Sequence, residues 1–214
     1  MWQSGDVSPR SYRSPRRDAA ATQTRERITA AAAAILGAPE GIGGFSLEAV
    51  AKKARVTRLT VYNQFGSRRA LLEAVFDQRA ARGGLHRIAE AMAGSDPHAG
   101  LREVIAIFCD FWSFDPGALG QLHAAGASDP EFDASVRERN ERRRRLLSVL
   151  VGRMAEGTHL RPKALGDLVD VLFALTSFPF LSQLTAGSRT ANAACGLIQG
   201  LAMDAVRRTM GTSN

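Results

Sequence analysis

Apolar residues recur along this chain at steps of three and four, and no stretch alternates with a period of two for long, so the pattern predicts helices and no strands. Ile28, Ala32, Ile35 and Leu36 mark one face of a first helix that starts near Thr22, and the glycine-rich run from Gly37 to Gly44 ends it in a turn. Ser46 is placed to cap a short helix through Ala54, with Glu48 in its first turn and Val50 and Ala51 inward. Thr57 caps a second short helix, Arg58–Phe65. Gly66 and Ser67 close it, and Ser67 caps a fourth helix that carries Leu71, Leu72, Val75 and Phe76 towards Gly83 and Gly84.

Beyond that point Leu101, Val104, Ile105, Phe108, Phe111 and Trp112 form an amphipathic stripe. Asp115-Pro116-Gly117 breaks it, and a short helix follows to Ala125. Asp129-Pro130 opens a long helix to Glu156, with Phe132, Val136, Leu147, Leu150, Val151 and Met154 inward. A helix from Lys163 to Leu184 is apolar all round at 171–175, so it must be covered on more than one side, and Pro179 should kink or locally break it. The last helix, Thr190 to Thr209, sets Ala194, Ile198, Leu201 and Ala205 on a small-residue face. The expected fold class is all-α, without internal repeats.

Charge changes this picture. The chain has 214 residues and a net charge of +7. Residues 1–80 contain 13 Lys and Arg against 7 Asp and Glu, while residues 81–214 contain 15 against 14, so the excess sits in the first third. A nucleic-acid-binding end joined to a neutral body has this asymmetry. No window approaches the ~18 uninterrupted apolar residues of a membrane span, and the N-terminal arginines precede no apolar run, so a cytoplasmic location is expected. Residues 1–20 are rich in Ser, Pro and Arg and are expected to be a disordered basic arm, either a solvated leader or one whose Arg10, Arg13, Arg16 and Arg17 reach DNA. Cys109 and Cys195 lie far apart in sequence, each in an apolar stretch without a basic neighbour, and are expected to be reduced, buried thiols.

Two short capped helices joined by a tight turn, after a longer helix, constitute a helix-turn-helix arrangement whose second helix enters the major groove. That helix offers Arg58, Thr60, Asn63 and Gln64 as donors and acceptors, with Val61 and Phe65 as anchors on its other side. Residues 45–77, FSLEAVAKKARVTRLTVYNQFGSRRALLEAVFD, resemble the DNA-binding domain of TetR-type repressors, most closely at Ser46 to Ala51, Val56-Thr57, Thr60-Val61-Tyr62, Phe65-Gly66-Ser67 and Leu71-Leu72. The resemblance implies an all-α homodimer with a helix-turn-helix domain at 21–66 and a helical effector-binding and dimerisation domain at 67–214. It also implies that Thr60, Tyr62 and Gln64 contact phosphates or bases, that Arg58 and Asn63 tune sequence preference, and that Arg68 holds a phosphate where a lysine is more common. The capping residues Ser46 and Thr57 complete the expected DNA-binding set. Arg55 stands where the family usually has Gly, which demands a positive φ of an arginine.

For the effector, Phe108, Phe111 and Trp112, with His86 before them and His123 after, suit a small hydrophobic or aromatic ligand. Arg142, Arg143, Arg144 and Arg145 point around a helix rather than to one side, so with Glu138 and Glu141 nearby they are expected to form a solvated, partly salt-bridged face. The last two helices, with Ala191, Ala194, Gly196 and Ala205, are the expected homodimer surface. The partners implied are double-stranded palindromic operator DNA and a releasing effector; an effector-independent architectural protein and an activator are the competing readings. His86, His98, His123 and His159 lack metal-ligand spacing, and no nucleophile elbow, phosphate loop or dinucleotide fingerprint is present, so no enzyme, cofactor or metal is expected.

Overall fold

The computed structural model describes residues 15–128 and 130–211, and every regular element among them is helical. The N-terminal part comprises α1 (Pro15–Leu36), a 3-10 turn (Gly41–Gly44), α2 (Leu47–Ala54) and α3 (Arg58–Phe65). The body follows as α4 (Arg68–Arg82), a second 3-10 turn (Leu85–Arg87), α5 (Ile88–Ala93), α6 (Pro97–Phe114), α7 (Pro116–Ser128), α8 (Pro130–Met154), α9 (Pro162–Leu175), α10 (Phe178–Thr185) and α11 (Ala191–Gly211). Residues 15–20, expected to belong to the basic arm, are already the first turns of α1; residues 1–14 of that arm lie outside the described residues.

The helices of the N-terminal part start where the sequence supplies a hydroxyl. The Oγ of Ser46 accepts from the amide of Ala49 at 3.1 Å, Thr57 Oγ1 from that of Thr60 at 3.0 Å, and Ser67 Oγ from that of Ala70 at 3.0 Å. Each satisfies an amide that the first helical turn leaves without an intrahelical partner. Between α2 and α3 the chain turns through Arg55, at φ +55° and ψ +47°, and its amide returns to carbonyls of Ala51 and Lys52. Among the described residues it is the one non-glycine at positive φ.

One contiguous apolar core runs from Ile28 on α1 to Val206 on α11, and the stripes expected on α4, α6 and α8 feed it. Two junctions tie the N-terminal part to the body. α4 continues directly from α3 and ends at Gly83, where a Cβ would come within 2.9 Å of the Arg79 carbonyl oxygen and 3.0 Å of Phe111 Cα; only glycine allows α4 to finish against α6. Nearby, Arg79 Nε sits 2.8 Å from Asp115 Oδ2 as an ion pair. At the second junction, Gln121 Oε1 on α7 accepts from the amide of Ile42 at 3.0 Å, across the first 3-10 turn.

The helix expected from Lys163 to Leu184 is two helices. The chain breaks at Thr176 and Ser177, and α9 and α10 meet at a bend of 50°. Pro179 lies in the first turn of α10, where its missing N–H is no loss, and Ser177 Oγ caps that helix by accepting from Phe180 N at 3.4 Å. On α11 Ala194, Ile198, Ala202, Ala205 and Val206 are buried against the body, whereas Leu201, placed on the same face by sequence, is 41% exposed. Among the described residues no single helix is long and apolar enough to cross a membrane.

Candidate nucleic-acid interface and internal cavity

α3 has two unlike sides. Val61 and Phe65 are buried, and the guanidinium of Arg25 on α1 lies 4.2 Å from the Phe65 ring centroid while donating to the Gln64 carbonyl oxygen. The opposite side carries Arg58, Tyr62 and Asn63, all exposed, together with Leu59, which at 66% is the most exposed large apolar side chain described. An exposed leucine with exposed Tyr62 (56%) beside arginine and asparagine is not a face that folding alone would select. Thr60 and Gln64 are half-buried at its flanks. The hydroxyls of Thr57 and Thr60 are hydrogen-bonded to each other at 2.8 Å, which orients both at the start of the helix. Ser46, at the start of α2, is exposed. Arg68 is half-buried, its guanidinium 5.4 Å from the Phe45 ring centroid. With Lys52, Lys53 and Arg55 exposed at the end of α2, the end of the chain that presents α3 is basic.

A cavity of about 560 Å³ opens between α4, α5, α6 and α8, and His86, Phe108, Phe111 and Trp112 all line it. His86 is exposed at the rim. The walls are mostly apolar: the rings of Phe111 and Trp112 are 4.3 Å apart, and Phe76 of α4 meets Phe111 edge-on at 5.6 Å. His123, grouped with these residues by sequence, does not line it. It is exposed on α7, and Phe178 of α10 stands between it and Trp112, with ring centroids 6.0 Å and 5.6 Å away respectively.

The arginine run on α8 departs from its expected solvated face at one residue. Arg142 does reach Glu138, at 2.7 Å, and Arg144 reaches Asp170 of α9. Arg143 instead is buried, 6% exposed, and lines the cavity. Its Nη1 donates to the Thr176 carbonyl oxygen at 2.7 Å, an oxygen that also accepts from Trp112 Nε1 at 3.0 Å. The guanidinium stacks 4.2 Å from the Phe173 centroid, its Nε has no hydrogen-bond partner, and burial pushes its pKa down to about 10. Sequence gave one available signal for this: a residue in the middle of the run falls in phase with Leu147, Leu150 and Met154, the inward stripe of α8.

Cys109 of α6 is buried and Cys195 of α11 half-buried, as two reduced thiols, but they are neighbours, hydrogen-bonded across the α6–α11 contact. Among the described residues no group of three His, Cys, Asp or Glu side chains is placed to hold a metal.

A capped helix-turn-helix with an exposed polar face, set on a larger helical body, is the architecture of a DNA-binding transcriptional regulator. The particular lineage follows from sequence: residues 28–75 match the family described as bacterial regulatory proteins, tetR family, so the N-terminal domain is of the TetR type. Solved structures carry the same fold over nearly the whole chain. A TetR-like transcriptional regulator from Rhodococcus sp. RHA1 superposes with a TM-score of 0.63 at 22% identity, over 88% of this chain and 97% of that one. A TetR transcription regulator from Haloarcula marismortui gives 0.66 at 15% identity, over 87% and 98%. The multidrug binding protein EbrR, solved in complex with imidazole, gives 0.57 at 24% identity, over 91% and 97%. No curated protein matches the chain in sequence.

Proposed function

We propose that this regulator is a cytoplasmic, ligand-responsive repressor that binds palindromic operator DNA as a homodimer and leaves it when a small hydrophobic effector enters the body. The observation that carries the DNA reading is the exposed face of α3, where Arg58, Leu59, Tyr62 and Asn63 stand clear of the core that Val61 and Phe65 enter. In this reading Asn63, Gln64 and Arg58 address base edges, Leu59 offers an apolar contact to a thymine methyl, and Ser46, Thr57, Thr60, Tyr62 and Arg68 address the phosphates on either side. Residues 21–66 form the reader and 67–214 the effector and dimerisation body. The effector reading draws support from the cavity, whose size lies within the ~300–1,000 Å³ usual for small-molecule pockets and whose wall includes α4, the helix that follows directly from α3. The relative solved as a multidrug binding protein is consistent with such a cavity.

The homodimer reading rests on a stripe of exposed Ala193, Gly196, Leu197, Gly200 and Leu201 on α11, beside exposed Val171 on α9. Ala194 and Ala205, expected at that surface, are occupied within the subunit.

Selection of duplexes from a random pool by the purified full-length protein tests the DNA reading. The expected product is a palindrome with half-sites one DNA turn, ~34–36 Å, or a multiple apart. Arg68→Ala should then weaken binding to all sequences and lower the salt slope by about one, while Asn63→Ala should change base preference more than salt slope. Failure to enrich any sequence, or identical effects of the two substitutions, defeats this assignment.

A further inference from the structure

Four arginines lie close together along α8, and three of them are paired with carboxylates. Arg139 pairs with Asp77 at 2.7 Å, Arg142 with Glu138 at 2.7 Å, and Arg144 with Asp170. Arg143, the most deeply buried of the four, reaches no carboxylate among the described residues; a single carbonyl oxygen and two aromatic rings are what it meets. A guanidinium taken out of water without a counter-ion is expensive, and folded proteins rarely retain one unless another group pairs with it. A replacement by methionine or leucine would fill the same space without that penalty. The chain keeps the charge, and directs it to the wall of a mostly apolar cavity.

We infer that the cavity between α4, α5, α6 and α8 takes an amphipathic monocarboxylate, its apolar body against Phe76, Phe108, Phe111 and Trp112 and its carboxylate paired with the unneutralised guanidinium of Arg143. This deepens the effector reading above and rests on it. The Nε of Arg143 makes no hydrogen bond within the protein, and a carboxylate in the cavity supplies the counter-charge that no described protein group provides. At neutral pH the group is charged even with its lowered pKa, so no proton has to be taken up when the anion binds. A cationic ligand finds no counterpart here: Asp77, the one carboxylate among the lining residues, is already held by Arg139. A polyanion is poorly matched as well, since one unpaired guanidinium balances one charge, the lining Arg139 and Arg142 are already paired, and most of the remaining wall is apolar.

The test uses two ligands of one shape, 2-naphthoate and its uncharged counterpart 2-naphthamide, titrated calorimetrically into the full-length protein at neutral pH. The acid is expected to bind about tenfold or more tightly than the amide, as a charged hydrogen-bonded pair in a desolvated site requires. Arg143→Met should erase that preference by weakening the acid alone. Arg143→Lys, which keeps the charge, should restore part of it, and Arg142→Met should leave it unchanged. Equal binding of acid and amide, or binding of neither, overturns the inference in the unaltered protein without recourse to any variant. A preference that survives Arg143→Met overturns the assignment to this residue. Because no DNA is present in these titrations, their failure leaves the operator reading standing; loss of selective DNA binding with the acid preference intact would defeat the regulator reading instead.

Discussion

Arg55, Arg143 and the two cysteines show what single side chains add to the sequence pattern. That an arginine would adopt positive φ between α2 and α3 was implied by the resemblance, in which glycine usually holds this position, and the angle is +55°. Local chemistry of this kind is legible because its causes lie within a few residues. On α3 the burial of Val61 and Phe65 and the exposure of Arg58 and Asn63 were legible for the same reason, whereas Thr60 and Gln64 are half-buried and the exposed Leu59 was not singled out. Arg143 and the Cys109–Cys195 contact were not, because each depends on which helix packs against which, and sequence separations of 33 residues (to Thr176) and 86 between the cysteines carry no periodic trace. The thiol pair has a chemical consequence. The hydrogen bond from Cys109 to Cys195 lowers the pKa of Cys195, whereas that same contact and burial raise the pKa of Cys109. Cys195 is therefore expected to react first as pH rises towards the ordinary thiol value of about 8.5, with Cys109 inert in the folded protein. Mass mapping of iodoacetamide adducts across a pH series checks the order, and earlier labelling of Cys109 would contradict it.

Among the elements, the helices with strong one-sided patterns came through with their ends close to the caps that sequence supplies, while the pieces lacking such a signal did not. The turn at Leu85–Arg87 and the six residues of α5 are too short to show a period, and the break expected at Pro179 falls slightly earlier, at Thr176 and Ser177 inside an apolar run. Pro179 marked the break rather than a kink, because it occupies the first turn of α10, where its missing N–H is no loss. The joint between α4 and α6 is the element-level feature most open to test. Gly83 has an ordinary φ of −79°, so its need for glycine is steric, imposed by the Arg79 carbonyl and the Phe111 backbone. Gly83→Ala should cost about 1–3 kcal/mol through overpacking, measured by urea unfolding. An unchanged midpoint would show that α4 and α6 separate freely.

For the whole molecule, the all-α class was accessible from period alone and the basic first third from charge, but the proposed surface between subunits was only half accessible. Sequence pointed to α11 through its small residues, yet a face that packs within the subunit and one that faces outward carry similar residues, and only the packed structure separates Ala194 and Ala205 from Leu197 and Leu201. Replacing both Leu197 and Leu201 by Glu should leave the subunit folded, since each is about 40% exposed, and convert a dimer to a monomer in sedimentation experiments. Persistence of the dimer would move the interface elsewhere. Finally, the hydrogen bond between Gln121 and Ile42 makes the reader a part fastened at two points, once through α4 and once through α7. A part pinned twice cannot pivot on its own. Whatever moves α3 must therefore displace two supports together, or unlatch one amide first, and a small molecule acting on α4 alone would meet resistance from the far side of the frame.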